Sequence, residues 1–306
     1  MTILGAVLAL AGLGAAADAA TQYPFGRGAG GCMVFPASSP WHEDISKLPV
    51  SPLSSAYVAS IGADGFLHPD FGSNLTYGIP YAVVPRSQPK VAIHFTAYGD
   101  ESDPGPYPIP AGAPVEGGAG SDGDRHVLVV QRGACKLYEL YDAHPQPDGS
   151  WGAGSGAVFN LRSNRLRHEG WTSADAAGLP ILPGLARYDE VSSGAIRHAL
   201  RFTAERTSRA HIYPARHDAG SADPSLPPMG LRVRLKASVD ISHLGKQARV
   251  IAQALKTYGM ILADNGSPWF ITGASDRKWN DDDLHGLGKL KGSDFEVVDT
   301  SALRNG

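Results

Sequence analysis

Three side chains capable of acid–base chemistry lie within one short stretch, DRHVLVVQRGACKLYEL, at residues 124–140. They are Asp124, His126 and Glu139, and the residues around them are mostly apolar and typical of a β-hairpin. A polar group on an apolar strand needs a partner, because burial without a hydrogen bond costs free energy. The stretch therefore indicates either a reactive site or a buried polar network.

The register of this hairpin decides whether His126 and Glu139 meet. A two-residue turn at Arg132-Gly133 places the two side chains opposite each other on one face, with Cβ atoms roughly 4.5 to 5.5 Å apart. A three-residue turn places Leu140 opposite His126 and sends Glu139 to the other face. Our prediction takes the two-residue turn, in which the imidazole and the carboxyl lie side by side and face a cleft.

Carboxyl groups on strands and loops favour glycosidic-bond cleavage, in which two such groups about 5 to 9.5 Å apart act, one protonated and one ionised. We expect Glu139 to act with Asp124 or Asp100 as acid and base in cleaving a polysaccharide. His126 and His198 would orient the substrate or tune the pKa of the carboxyl. The side chains expected to bind the substrate are Tyr98, Tyr138, Trp171, Arg197 and His217.

Other classes of function stay open. A polysaccharide lyase would use a histidine or Tyr138 to abstract a proton and Arg197 to neutralise a uronate. A metalloenzyme would use His126, His198 and His217, and a glycan-binding or cell-surface protein would use no catalytic group. We expect no cofactor, with a calcium ion bound by loop oxygens or a histidine-bound transition metal as alternatives.

Composition favours a mainly β protein. The chain has 306 residues with a formal net charge of -3, and its basic residues are scattered, which argues against a nucleic-acid partner. It contains 37 Gly and 23 Pro, more turn-forming residues than a helical protein tolerates. We predict an antiparallel β-sandwich or jelly roll with a few peripheral helices toward the C-terminus.

Short runs bounded by turn residues mark the elements. Helices are predicted over Ser54 to Ser60, in HLGKQARVIAQALKTYG up to Gly259, and in DDDLHGLGKL. Two long irregular stretches, residues 98–124 and 167–191, are predicted to be functional surfaces. The predicted strands are Tyr81–Val84, Val91–Ala97, Arg125–Val130, Lys136–Tyr141, Ala157–Leu161, Ile196–Thr203, Ala210–Tyr213, Leu231–Lys236, Met260–Ala263 and the closing FEVVD.

The N-terminus predicts export. Residues 1–20 have the apolar run and small-residue end of a secretory signal, which leaves residues 21–306 as a single domain. No later segment has the roughly 20 apolar residues that span a bilayer, so we expect no membrane association after signal removal. Two cysteines in an exported chain predict one disulfide, between Cys32 and Cys135.

Several stretches spread over most of the mature chain together resemble a family of exported microbial proteins without an assigned function. Some members of that family occur alongside carbohydrate-binding modules, so the resemblance implies a glycan ligand, but it transfers no catalytic residue. The stretches are HEDISKLPVSPLSSAYVASIG, AYGDESDPGPYPIP, DRHVLVV, LYELY, GWTSADAAGLPILPGLARYDEV, IRHALRFT and YGMILADNGSPWF.

Overall fold

The structure is a computed structural model that describes residues 29–305. The predicted signal, residues 1–20, lies outside the described residues. Four α-helices are present in the described part: α1 (Ser54–Ile61), α2 (Tyr188–Ser192), α3 (Lys246–Thr257) and α4 (Asp281–His285). Short 3₁₀ turns lie at Ala29–Gly31, Pro40–His42, Gly99–Glu101, Leu182–Gly184, Gly286–Lys289, Gly292–Asp294 and Ser301–Asn305.

Strands outnumber helices, so the mainly β class is confirmed. The strands within residues 29–305 are β1 (His68–Asp70), β2 (Tyr81–Val84), β3 (Ile93–Phe95), β4 (Val127–Gln131), β5 (Lys136–Tyr141), β6 (His144–Pro145), β7 (Trp151–Ala153), β8 (Ser155–Asn160), β9 (Leu200–Ala204), β10 (Arg232–Leu235), β11 (Met260–Asn265), β12 (Phe270–Thr272) and β13 (Phe295–Val297). The predicted strand Ala210–Tyr213 is wrong, because it forms only one isolated bridge, His211 to Met229.

The strands form three sheets, with the orders β1-β12-β9-β11-β10-β13, β2-β4-β5-β8 and β3-β7-β6. The purely antiparallel pairing predicted from the sequence is wrong, because β1 with β12, β9 with β11, β2 with β4 and β3 with β7 are parallel. Parallel pairing requires a long connection between the two strands, and the long irregular segments of this chain supply it. A sequence pattern that assumes hairpins between consecutive strands misses these pairs.

The hairpin β4–β5 has a longer loop than predicted. Gln131 pairs with Lys136, which leaves residues 132–135 as a four-residue loop, so both turn lengths considered from the sequence are wrong. Cys135 adopts a positive φ of 50° in this loop. Leu128 therefore lies opposite Glu139. Because side chains alternate along a strand, Glu139 shares a face with Leu128 and Val130.

The four-stranded sheet is buried on both faces, as the apolar residues of its central strands predict. Leu128 and Leu137 belong to the larger of two hydrophobic clusters. Val129 and Leu140 belong to the smaller one. This sheet therefore lies between two cores, which makes the β4–β5 hairpin a rigid platform.

Two of the helices end close to the glycines predicted to stop them, whereas the third predicted helix is α-helical only to His285 and continues as the 3₁₀ turn Gly286–Lys289. Helix α1 begins at Ser54, and the backbone N–H of Gly62 caps its C-terminus by donating to the Val58 carbonyl. Gly259 follows α3 with a φ of 65°, and a Cβ there would lie 2.2 Å from the Val233 carbonyl oxygen. Only glycine fits that position, so β11 starts directly after it. Between residues 29 and 305, no helix combines the length and apolar character that crossing a bilayer requires.

The predicted disulfide between Cys32 and Cys135 is confirmed. Both cysteines are buried in the larger hydrophobic cluster, and 103 residues separate them in sequence. The bond fixes the N-terminal end of the described chain to the loop of the β4–β5 hairpin. A cross-link that closes so long a loop restricts the unfolded chain strongly.

Replacing both cysteines, Cys32→Ser with Cys135→Ser, should lower the free energy of unfolding by about 2–5 kcal/mol, because the unfolded chain gains conformational freedom. Urea unfolding with and without a thiol reductant measures this change. The double variant serves as the control, since reductant should not affect it further. If the urea midpoint of the native protein were the same with and without reductant, this prediction would be contradicted.

Candidate active-site cleft

An open cleft of about 240 Å³ gathers polar side chains from distant parts of the sequence. Its walls come from the residues before β4, the end of β5, the segment 172–176, the loop around His217 and the end of β11. Tyr98 and Asp124 are exposed at this cleft. The lining residues are Tyr98, Asp124, Tyr141, Ser155, Thr172, Ser173, Ala174, Asp175, Ala176, His217, Ala219, Asp264 and Asn265.

A buried ion pair lies at the base of this cleft. The Asp175 carboxylate accepts two hydrogen bonds from Arg201, from Nε at 2.9 Å and from Nη2 at 2.6 Å. Arg201 also donates from Nη1 to Thr272 Oγ1. The Asp175 side chain has no solvent-exposed surface and that of Arg201 is 5% exposed. This bidentate contact fixes the orientation of Asp175.

Asp264 lies next to this ion pair because of an irregularity in β11. Strands β9 and β11 run parallel, and their register shifts between Leu262 and Asp264, which places Asp264 beside Thr203. An extra residue of this kind redirects the side chains that follow it. Burial, the charge of Asp175 and a side-chain hydrogen bond between the two carboxyls raise the pKa of Asp264 to about 8. At neutral pH, Asp264 therefore keeps its proton.

A histidine lines the cleft, and a glutamate lies beside it. His217 Nδ1 donates to the Ala176 carbonyl at 2.7 Å, so its Nε2 points toward Glu101, 3.6 Å from Oε2. Glu101 Oε2 also accepts the backbone N–H of Thr172 at 2.9 Å. Both ends of the segment 172–176 are thus tied to side chains at the edge of the cleft.

Glu139, expected to be catalytic, lies beneath the cleft and has no solvent exposure. Its carboxyl accepts the backbone N–H groups of Ile181 and Leu182 at 2.9 Å. Burial raises the pKa of Glu139 to about 7, although the two N–H donors oppose the shift. A group enclosed in this way does not suit proton transfer to a substrate, and we assign it to anchoring residues 181–182.

His126 is also enclosed, with only 2% of its surface exposed. Its Nδ1 donates to Glu116 Oε2 at 2.6 Å and its Nε2 donates to the Ala174 carbonyl at 2.9 Å. Burial opposes the charged form, but Glu116 outweighs this effect and raises the pKa of His126 to about 9. The imidazolium therefore anchors the segment that carries Asp175, and it does not contact the cleft.

Of the ten predicted site residues, the structure brings three together in the cleft: Asp124, Tyr98 and His217. His198 lies elsewhere, where its Nε2 is 3.1 Å from Glu190 in a buried pair with Arg187. Tyr138 packs in the smaller hydrophobic cluster. Three further predicted site residues do not line the cleft: Asp100, Trp171 and Arg197.

Sequence reasoning missed Asp175, Asp264 and Tyr141. Asp264 directly follows the apolar run Met260–Ala263, and a carboxylate at the end of a buried strand is a signal that the sequence offered. Asp175 lies within the irregular stretch 167–191, which was predicted to be functional. Tyr141 ends the strand that carries Glu139. The parallel pairing of β11 with β9, which places Asp264 beside Thr203, was not visible in the sequence.

Residues 29–305 contain no group of three or more His, Cys, Asp or Glu side chains arranged to hold a metal ion. The three histidines considered as metal ligands have separate partners. His126 contacts Glu116, His198 contacts Glu190, and His217 faces Glu101. The geometry therefore gives no support to a histidine metal site built from these three.

The anchoring role of Glu139 predicts a loss of stability on substitution. Glu139→Leu leaves two buried N–H groups without an acceptor and should lower the free energy of unfolding by about 1–3 kcal/mol. Glu139→Gln keeps one acceptor oxygen and should lower it less. Urea unfolding measures both, with the exposed Glu205→Gln as control. A Glu139→Leu variant as stable as the native protein would exclude this anchor.

The high pKa of Asp264 predicts a pH-dependent contribution to stability. In the unfolded chain an aspartate has a pKa of about 3.9, so the contribution of Asp264 is complete below pH of about 4. It is lost as the pH rises through about 8, because the unfolded chain then releases a proton that the folded protein retains. Asp264→Asn mimics the protonated form and should remove this dependence.

Urea unfolding at pH 4.5, 6 and 7.5 tests the prediction. The free energy of unfolding of the native protein, relative to that of Asp264→Asn, should fall steadily across this series. Asp64→Asn, at an exposed position, is the control and should follow the native protein. Parallel pH curves for the native protein and Asp264→Asn would show that Asp264 titrates normally.

Comparison of the chain with protein-family models, curated proteins and solved structures finds no match. The functional interpretation therefore depends on the cleft and on the chemistry of its side chains.

Proposed function

We propose that this protein cleaves glycosidic bonds in a polysaccharide, with Asp264 as general acid and Asp124 as the carboxylate that acts as base or nucleophile. The observation that carries the proposal is the carboxyl of Asp264, next to the buried Asp175 in an open cleft that also contains the exposed carboxylate of Asp124. Two carboxyl groups with different affinities for protons are what glycoside cleavage needs. Asp124 takes one of the roles predicted from the sequence, and Asp264 replaces Glu139 in the other.

The side chains around Asp264 support its role as the general acid. Asp175 is held by Arg201 and cannot turn away, so its carboxylate remains beside Asp264. Asp264 is partly exposed, whereas Asp175 is 1% exposed, so of the two only Asp264 has surface that a substrate can reach. A proton on Asp264 would pass to the glycosidic oxygen as the bond to the leaving sugar breaks.

The position of Asp124 supports its role as base or nucleophile. The backbone carbonyl of Asp124 accepts the N–H of Asp142 at 2.8 Å, which fixes its backbone to the open end of the β4–β5 hairpin. An exposed carboxylate can take a proton from the attacking water or attack a sugar carbon itself. Burial and the nearby carboxylates of Asp124 and Asp142 raise the pKa of Tyr141, which therefore stays a neutral hydrogen-bond donor.

We also propose where the protein acts and how its sheets are stacked. A buried disulfide favours an oxidising compartment, which agrees with an exported enzyme that meets polysaccharides outside the cell. We also propose a sandwich-like stacking of the sheets, because the four-stranded sheet contributes residues to two separate hydrophobic clusters. A non-catalytic glycan-binding protein is the competing class.

Cleavage should depend on both aspartates. On incubation with a panel of polysaccharides, the native protein should release oligosaccharides, and Asp264→Asn or Asp124→Asn should lower the rate by about 10²–10⁴-fold. Asp64→Asn is the matched control at an exposed position. Mass spectrometry and a reducing-end assay, with and without chelator, measure the products.

The rate should fall as the pH rises through about 8, because Asp264 then loses the proton that it donates. Unsaturated, ultraviolet-absorbing products would indicate a lyase instead. Binding without any product across the panel would favour the non-catalytic class, and full activity of Asp264→Asn would exclude the proposed acid.

A further inference from the structure

A second cavity of about 400 Å³ adjoins the cleft. The cavity and the cleft share a wall, because Trp171 lines the cavity and the next residue, Thr172, lines the cleft. Glu101 accepts the Thr172 N–H from one side of this wall. The second cavity is lined by Asp103, Val158, Phe159, Asn160, Ser163, Arg165, Leu166, Arg167, His168 and Trp171.

The indole of Trp171 is held in place within this cavity. The Arg167 guanidinium carbon lies 5.6 Å from the Trp171 ring centroid and 5.9 Å from that of Phe159. Arg167 is itself fixed, since it donates to Asp103 Oδ2 at 2.6 Å and to the Thr172 carbonyl. Its side chain is only 4% exposed. Because these contacts come from neighbouring side chains and backbone, they hold the ring in one orientation, which lowers the entropy lost on binding.

We propose that the Trp171 cavity is a second sugar-binding subsite, which holds an uncharged polysaccharide chain that continues from the cleft. This inference rests on the proposed function, since the cleft would bind the sugar units at the bond that is cleaved. Trp171 is partly exposed, and its indole offers a flat apolar face for the C–H face of a sugar ring. Asn160 and Ser163 place amide and hydroxyl groups beside it for the sugar hydroxyls.

The charges of the two cavities select an uncharged chain. Asp124 is exposed in the cleft, and Glu101 lies beside its His217. The buried Asp175 is already paired with the guanidinium of Arg201, and Asp264 keeps its proton at neutral pH. A polymer with regularly spaced carboxylates would meet this acidic surface and be repelled. Arg165 is an exposed cation in the second cavity, but an anionic chain that reached it would still have to cross the acidic cleft.

Native affinity electrophoresis tests the subsite, in gels that contain hydroxyethylcellulose, galactomannan, arabinan or polygalacturonate. The native protein should be retarded by at least one of the three uncharged polymers, and Trp171→Ala should be retained about tenfold less strongly. Trp171→Phe keeps a smaller ring and should fall between the two, which also covers the case in which Trp171→Ala fails to fold.

Phe66→Ala is the matched control. It removes another aromatic ring with a cation nearby, Lys291 at 5.4 Å, outside both cavities, and should migrate like the native protein. Retention of Trp171→Ala and Trp171→Phe equal to that of the native protein would overturn the proposal. Retardation by polygalacturonate alone, or by none of the polymers, would also overturn it.

Asp264→Asn separates this inference from the proposed function. It should release oligosaccharides about 10²–10⁴-fold more slowly, while its retardation by the same polymer should still fall when Trp171→Ala is added, because Asp264 donates the proton and the Trp171 cavity holds the chain. Trp171-dependent retardation in a native protein that cleaves nothing would leave the subsite standing and remove the proposed enzyme.

Discussion

The buried contact between Asp175 and Arg201 is the interaction on which the cleft depends. Two charges removed from water are stable only when good geometry and further hydrogen bonds compensate for lost hydration. Here the contact is bidentate, and Thr272 accepts a third bond from Arg201. The fixed charge of Asp175 then helps to keep a proton on Asp264. The reactivity that we assign to Asp264 is therefore a consequence of a structural ion pair.

Carboxyl groups outnumber cations around this contact, which explains why some of them retain protons. Burial raises the pKa of Asp70, in the neighbourhood of Arg201, as it raises those of Glu139 and Asp264. The pKa of Glu116 is lowered instead. Burial opposes its ionisation, but the charge of His126 and the hydrogen bond between the two side chains outweigh burial. In this region a paired cation therefore lowers the pKa of the carboxyl that it contacts, whereas burial raises the pKa of carboxyls without such a contact.

The sequence predicted the local features and missed the long-range ones. The apolar faces of β4, the helix end at Gly259 and the disulfide depend on neighbouring residues or on composition, so patterns reveal them. The parallel pairing of β9 with β11 and the register shift before Asp264 depend on contacts between residues far apart in the chain. Asp124 was identified from the sequence because it lies beside a recognisable hairpin. Asp264 could be identified only from the register of β11 against β9 in the structure.

The β4–β5 hairpin answers why an apolar stretch carries an aspartate, a histidine and a glutamate. At its loop, Cys135 is bonded to Cys32, and at its open end the residues Asp124 and Tyr141 line the cleft. Between these ends, His126 and Glu139 fasten both sides of the segment that carries Asp175. Catalytic geometry requires groups to be held within about 0.5 Å, which rigid elements achieve better than loops. A hairpin buried on both faces can hold a loop to that tolerance, so we assign His126 and Glu139 to positioning and Asp124 to the chemistry that we propose.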